Sequence, residues 1–166
     1  TGEGPLSYIV GGYYADTSTK RTFTRTPGAS LGFFRANWSS DAGKKSLAGF
    51  AQLDYKLTDT TRFGVGLRVQ NEKIDVAYVR TLPTAVTIAE DDSDTAFSWK
   101  ATLQQDLAPD VMAYASVAKG YKGQAYDIST GFSQAKALLP TRAESSMAYE
   151  VGIKSRFLDN RVQLNI

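Results

Sequence analysis

The 166-residue sequence contains neither cysteine nor histidine. Without cysteine there is no disulfide framework and no thiolate metal site. Without histidine the Ser-His-Asp triad, the Cys-His pair and ordinary zinc coordination are excluded. Charge of one sign is also lacking. Lys and Arg number 19 and Asp and Glu 17, a net charge of +2, which suggests neither nucleic acid nor an acidic partner. No apolar run approaches the roughly 18 residues of a transmembrane helix, although barrel strands leave a much weaker mark on hydropathy. No acid/base pair or nucleophile stands in a recognisable setting, so neither an enzyme nor a cofactor or resident metal is expected.

What the sequence has is alternation. In SLAGFAQLDYKL, Leu47, Gly49, Ala51, Leu53, Tyr55 and Leu57 share one face, opposite Ser46, Ala48, Phe50, Gln52, Asp54 and Lys56. In RFGVGLRVQNEK, Phe63, Val65, Leu67 and Val69 oppose Arg62, Arg68, Gln70 and Glu72. FSWKATLQQDL sets Phe97, Trp99, Ala101 and Leu103 against Ser98, Lys100, Thr102 and Gln104. MAYEVGIKSRF sets Met147, Tyr149, Val151, Ile153 and Phe157 against Glu150, Lys154 and Arg156. A period of two sustained this way specifies strands with chemically different faces. Two stretches stay open: PLSYIVGGYY is apolar on both faces, and the side to which Tyr114 turns is undecided.

The connections alternate in length. LTDTT, LAPD and FLDNR are short and rich in Asp, Asn or Pro, as tight turns require, and they recur about 50 residues apart. Between them lie longer connections, expected from Asp16 to Lys45, Ala77 to Asp94 and Gly123 to Glu144. Strands of about 10 to 14 residues suit a tilted membrane crossing better than a soluble strand does. The expected fold is therefore all-β: an antiparallel meander forming a segment of a transmembrane β-barrel, with short periplasmic turns and long external loops. Tyr55, Phe63 and Phe157 beside the turns, and Phe97, Trp99 and Tyr149 toward the loops, have the placement of two interfacial girdles. Alternation alone leaves a soluble β-sandwich binding module open, and a passive porin shares the loop asymmetry.

Three stretches carry a family resemblance: YASVAKGYKG at Tyr114 to Gly123, AESSMAYEVGIKSRFLDNRVQLNI at Ala143 to Ile166, and FAQLDYKLTDTTRFGVGLRVQNEK at Phe50 to Lys73. The second is the most specific, with Glu144, Tyr149, Glu150, Gly152 and Lys154 at fixed offsets before an Asp-Asn turn and Arg161. YIVGGYYAD, Tyr8 to Asp16, is similar to a strand that precedes a long external loop. The chain resembles the barrel of a TonB-dependent outer-membrane receptor. The resemblance implies a barrel of about 22 strands around a plug domain, importing a ferric siderophore or another scarce nutrient with energy delivered through TonB. On this reading residues 1–166 are a partial barrel domain of about seven strands, a mid-barrel piece that does not transport alone, with the plug and TonB box lying elsewhere.

The external loops hold the candidate ligand contacts. In the first, Arg21, Arg25 and Arg35 are interleaved with Phe33, Phe34 and Trp38, and Tyr78, Arg80, Tyr121 and Tyr126 are further candidates. Cations among aromatics suit an anionic, aryl-bearing metal chelate. They suit lipopolysaccharide phosphates and plain solvation too. Arg62, Arg68, Glu72, Lys100, Glu150, Lys154 and Arg156 are expected to face the lumen and, as the resemblance implies, the plug. GVGLRV lacks the third glycine of a dinucleotide fingerprint, and EDDSD, Glu90 to Asp94, reads as a solvated loop tip rather than a calcium loop.

Overall fold

The structure, a computed structural model, describes residues 4–26, 35–128, 132–158 and 161–166. Seven strands follow one another in a single antiparallel sheet whose spatial order is the chain order. They are β1 (Leu6–Arg25), β2 (Ala36–Lys56), β3 (Thr61–Leu82), β4 (Val86–Ala108), β5 (Val111–Lys122), β6 (Glu144–Phe157) and β7 (Val162–Asn165). One short helix, α1 (Gln134–Leu138), lies between β5 and β6. The sheet curls into part of a barrel. Among the described residues no helix is long and apolar enough to cross a membrane.

Pairing fixes the two faces, because a slip of one residue exchanges every side chain between them. Tyr55, Phe63, Leu103, Ala115 and Val151 pair in succession across five strands. One residue along, Asp54, Gly64, Thr102, Ser116 and Glu150 do the same. The apolar face is the outward, convex one: Val10, Tyr149 and Val151 stand 73%, 78% and 80% exposed. The polar face is crowded by curvature, with Ser46, Ala48 and Glu72 all buried.

Register settles the stretches that alternation leaves open. Tyr114 pairs with Gly152 and donates its hydroxyl to Glu150 Oε1 at 2.6 Å, so it lies on the concave face. A Cβ at Gly152 would come within 2.8 Å of the Tyr114 ring, so the glycine is what admits the ring. In β1, Ile9, Gly11 and Tyr13 oppose Gln52, Phe50 and Ala48. The Phe50 ring covers Gly11, where a Cβ would overlap it. Tyr13 carries the Arg68 guanidinium over its ring at 5.3 Å.

The long connections differ from expectation. Strands β1 to β4 run 20, 21, 22 and 23 residues, about twice the 9–11 that cross a bilayer. Asp16 to Arg25, Ala36 to Lys45, Ala77 to Leu82 and Val86 to Asp94 are strand, not loop. Outside the lipid the convex face need not be apolar, so the ladder continues after that face has lost its apolar residues, and in β3 and β4 the apolar positions move to the concave face at Ile74, Val76, Tyr78 and Ile88. EDDSD accordingly lies inside β4, with Asp91 bound to Lys73 at 3.0 Å. The connection from Gly123 to Ala143 does leave the sheet. Pairing of β4 with β5 stops at Trp99 and Lys119, and beyond it the chain crosses onto the concave face of the extensions. Trp38, Val76, Tyr78, Ile88, Phe132 and Ala137 form a buried cluster there.

Candidate functional site

The concave face has two zones. Toward the short turns it is a wall of charged and amide side chains. Arg62 Nη2 binds Asp106 Oδ2 at 2.7 Å, and Arg68 Nε donates to Gln70 Oε1 at 2.8 Å. Gln70 Nε2 donates in turn to Glu72 Oε1 at 2.7 Å. Lys154 lies over the Tyr114 ring at 5.1 Å. Register places Lys100, between Gly66 and Ala118, on this same face. Arg62, Asp106, Lys154, Arg156 and Gln163 line a hollow of about 400 Å³ near the turns. All seven charged residues assigned to the lumen thus share one face, but Glu72 differs from the rest. It is buried beneath Gly123 and already holds Lys44 at 2.8 Å.

Toward the far end the wall becomes aromatic. Phe23 of β1 stacks on Trp38 of β2 at 5.4 Å and 19°. Trp38 meets Tyr78 of β3 at 5.7 Å, and Tyr78 meets Phe132 at 5.2 Å. The Arg21 guanidinium lies 5.6 Å from the Trp38 ring centre, an arrangement in which the ring's negative face attracts the cation. Tyr126 and Ile128 pack against the cluster from its edge. Burial first, then the charges of Asp92, Glu90, Asp91 and Asp75, push the Tyr126 phenol above its ordinary pKa.

Of the candidate ligand contacts, Arg21, Trp38, Tyr78 and Tyr126 come together here. Arg80 stands across from Trp38 in the β2–β3 ladder but spends its Nε on Thr84 O at 3.0 Å. Tyr121 is elsewhere, donating to Asp94 Oδ2 at 3.1 Å. Arg25 ends β1, paired with Ala36, and Arg35 lies exposed before β2. Phe33 and Phe34 lie outside the described residues. Ile88, Val76 and Ala137 were not foreseen. For Val76 and Ile88 the signal is only an apolar residue at every second position of β3 and β4; Ala137, in the five-residue helix α1, has no such signal.

Comparison with known proteins bears on the fold and the family. The family model described as TonB dependent receptor-like, beta-barrel matches residues 1–166. The ferric yersiniabactin uptake receptor FyuA from Yersinia pestis superposes with a TM-score of 0.78 at 22% identity, covering 95% of this chain and 24% of that one. The ferric-catecholate import receptor Fiu from K12 E. coli, in its closed form, gives 0.76 at 17% identity, covering 99% and 28%. The chain thus spans about a quarter of either barrel protein. Matched along its whole length and sharing their fold, it belongs to the TonB-dependent receptor-like β-barrel family of the bacterial outer membrane.

Proposed function

We propose that this chain is part of an outer-membrane TonB-dependent active transporter that imports a ferric siderophore. The observation that carries the reading is the two-faced sheet: an apolar convex belt for lipid, and a concave wall that passes from charged groups to an aromatic row flanked by Arg21. The likeness to receptors for ferric yersiniabactin and ferric catecholate supports the same class of cargo. Iron chelates are cargo here, not a resident cofactor. A strain whose only iron receptor is the one carrying this segment should accumulate radiolabelled iron from aryl-bearing chelates, and loss of TonB should abolish it. Uptake that persists without TonB would favour a passive pore.

The charged wall is proposed to hold the receptor's own plug domain. Arg68 and Glu150 are each fixed by a neighbour, Tyr13 and Tyr114, so they present polar groups to the lumen without needing to reorder. Changing both to leucine in the complete receptor is expected to leave plug donors and acceptors unpaired, at about 1–3 kcal/mol for each buried group. Limited proteolysis of the plug should quicken about tenfold or more, and unchanged plug protection counts against the role. Lipopolysaccharide phosphates are a further proposed outer-leaflet partner: on the convex side Lys45 and Lys73 face each other across β2 and β3, but each stands beside an aspartate, Asp16 and Asp91, which a phosphate has to displace. Arg21 and Lys44 turn to the concave face instead.

A further inference from the structure

Three of the four rings in the aromatic row belong to the sheet, and the fourth does not. Phe132 comes from the chain between β5 and β6, and it is as deeply buried as its partners: Phe132 is 3% exposed, Tyr78 2% and Trp38 5%. Yet the secondary structure of its own segment is slight. Helix α1 is five residues long, and Ser133 at its N-cap makes no side-chain capping bond. A helix this short does not stand by itself in water. It packs chiefly on β4, burying Ala137 while Leu138 and Leu139 face outward. Beyond Phe132 and Ala137, Gln134 Nε2 donates to Glu90 Oε1 at 2.7 Å, Lys136 Nζ reaches Asp127 Oδ2 at 3.3 Å with both side chains about half exposed, and a bridge of Ala125 to Thr141 closes the base of the connection.

The floor beneath it has unmet polar demand. Ser40 pairs with Tyr78 in the ladder and is 1% exposed, and its hydroxyl has no hydrogen-bond partner among the described residues. Gln124 Nε2, at the root of the segment, is buried in the same condition. Buried hydroxyls are ordinarily paired, and no described residue of the segment above Ser40 pairs with this one. The row therefore offers flat aromatic contact, a cation at one end in Arg21, and the orphaned hydroxyl of Ser40 beside Tyr78 in the ladder. Those features match an aryl ring bearing anionic oxygens.

We propose that residues 132–138 are a displaceable cap, and that Phe132 holds on Tyr78 the place which an aryl group of the incoming ligand takes. The inference rests on the siderophore reading above and adds its regulation: the receptor binds only in the fraction of time that the cap is off. A closed cap lowers apparent affinity by the fraction open, so releasing it tightens binding without any new contact.

The test uses the complete receptor in detergent, in a background without other cysteines. Glu90→Cys with Gln134→Cys is tethered by a short, reductively cleavable bis-maleimide, and the probe is the ferric complex of 2,3-dihydroxybenzoate. Tethering should weaken binding at least about tenfold, and cleavage should restore it. Phe132→Ala should bind about three to ten times more tightly. Equal binding with and without the tether, or weaker binding in Phe132→Ala, overturns the proposal. A second reading needs no ligand. Ile88→Cys, at a position 3% exposed under the cap, should react slowly with a water-soluble maleimide, about tenfold faster with Phe132→Ala. Unchanged labelling makes the segment fixed core and ends the idea. Labelling that follows the cap without chelate binding removes the aryl ligand. Loss of TonB-dependent iron uptake despite a working cap strikes the transport reading instead.

Discussion

Leu67→Arg is expected to cost about 2–4 kcal/mol of stability in lipid, the toll of a cation on the lipid face near the bilayer midplane. Leu67 pairs with Ala51 and Trp99 on the convex face, midway along the apolar part of β3. The comparison that gives the number meaning is Gln52→Arg, which lies next to Ala51 in the chain but on the concave face. Gln52 sits between Ile9 and Gly66, and Gly66 leaves room for a longer side chain. Its replacement should stay within about 0.5 kcal/mol. Denaturant titration of the complete receptor in vesicles, or its unfolding rate where unfolding is slow, measures both. An equal cost at the two positions would mean that the faces are assigned wrongly. A soluble sheet would also separate them, but it would do so without lipid.

How much of this was legible depends on where the lipid is. Within the membrane the solvent forces alternation, and so the faces of Leu47 to Leu57 or Met147 to Phe157 can be read from one strand alone. Tyr114 could not be read, because tyrosine suits either face and its apolar neighbours do not arbitrate. Gly152 and Glu150 decide it from another strand. Beyond the membrane the constraint lapses. Thr17 to Arg25 is polar on both sides except at Phe23, and only pairing with Ala36 to Lys44 reveals it as strand. The same lapse hid the candidate site. Phe23, Trp38, Tyr78 and Phe132 sit in three separate connections, each an ordinary loop aromatic until the ladder sets Phe23 against Trp38 and Ser40 against Tyr78. Aromatic and cationic composition pointed to the right kind of contact. Convergence is a property of register, which no single segment contains.

Lys44→Met should have the other large effect, and Glu72 is the reason. Glu72 is 3% exposed, and its Oε1 takes Lys44 at 2.8 Å, Gln70 at 2.7 Å and Ser46 at 3.3 Å. Its Oε2 has no partner among the described residues, and Gly123 lies so close that even a methyl there would overlap the carboxylate. Removing one partner of a buried pair typically costs about 3–5 kcal/mol. The Lys44 side chain keeps 38% of its exposure, so water offsets part of the loss, and about 3 kcal/mol is the expected outcome. Lys45→Met is the contrast. Its link to Asp16 is 3.7 Å long with both side chains about half exposed, and such surface pairs are worth about 0–1 kcal/mol. In the complete receptor, hydrogen exchange at residues 72–78 and 120–124 should quicken about a hundredfold in Lys44→Met and hardly change in Lys45→Met. Adding Glu72→Leu to Lys44→Met should recover most of the protection, because no buried charge is then left alone. Lys44→Met without effect would mean that another cation reaches Glu72. The plug domain, which faces the same wall in the proposed receptor, is where that cation should then be sought.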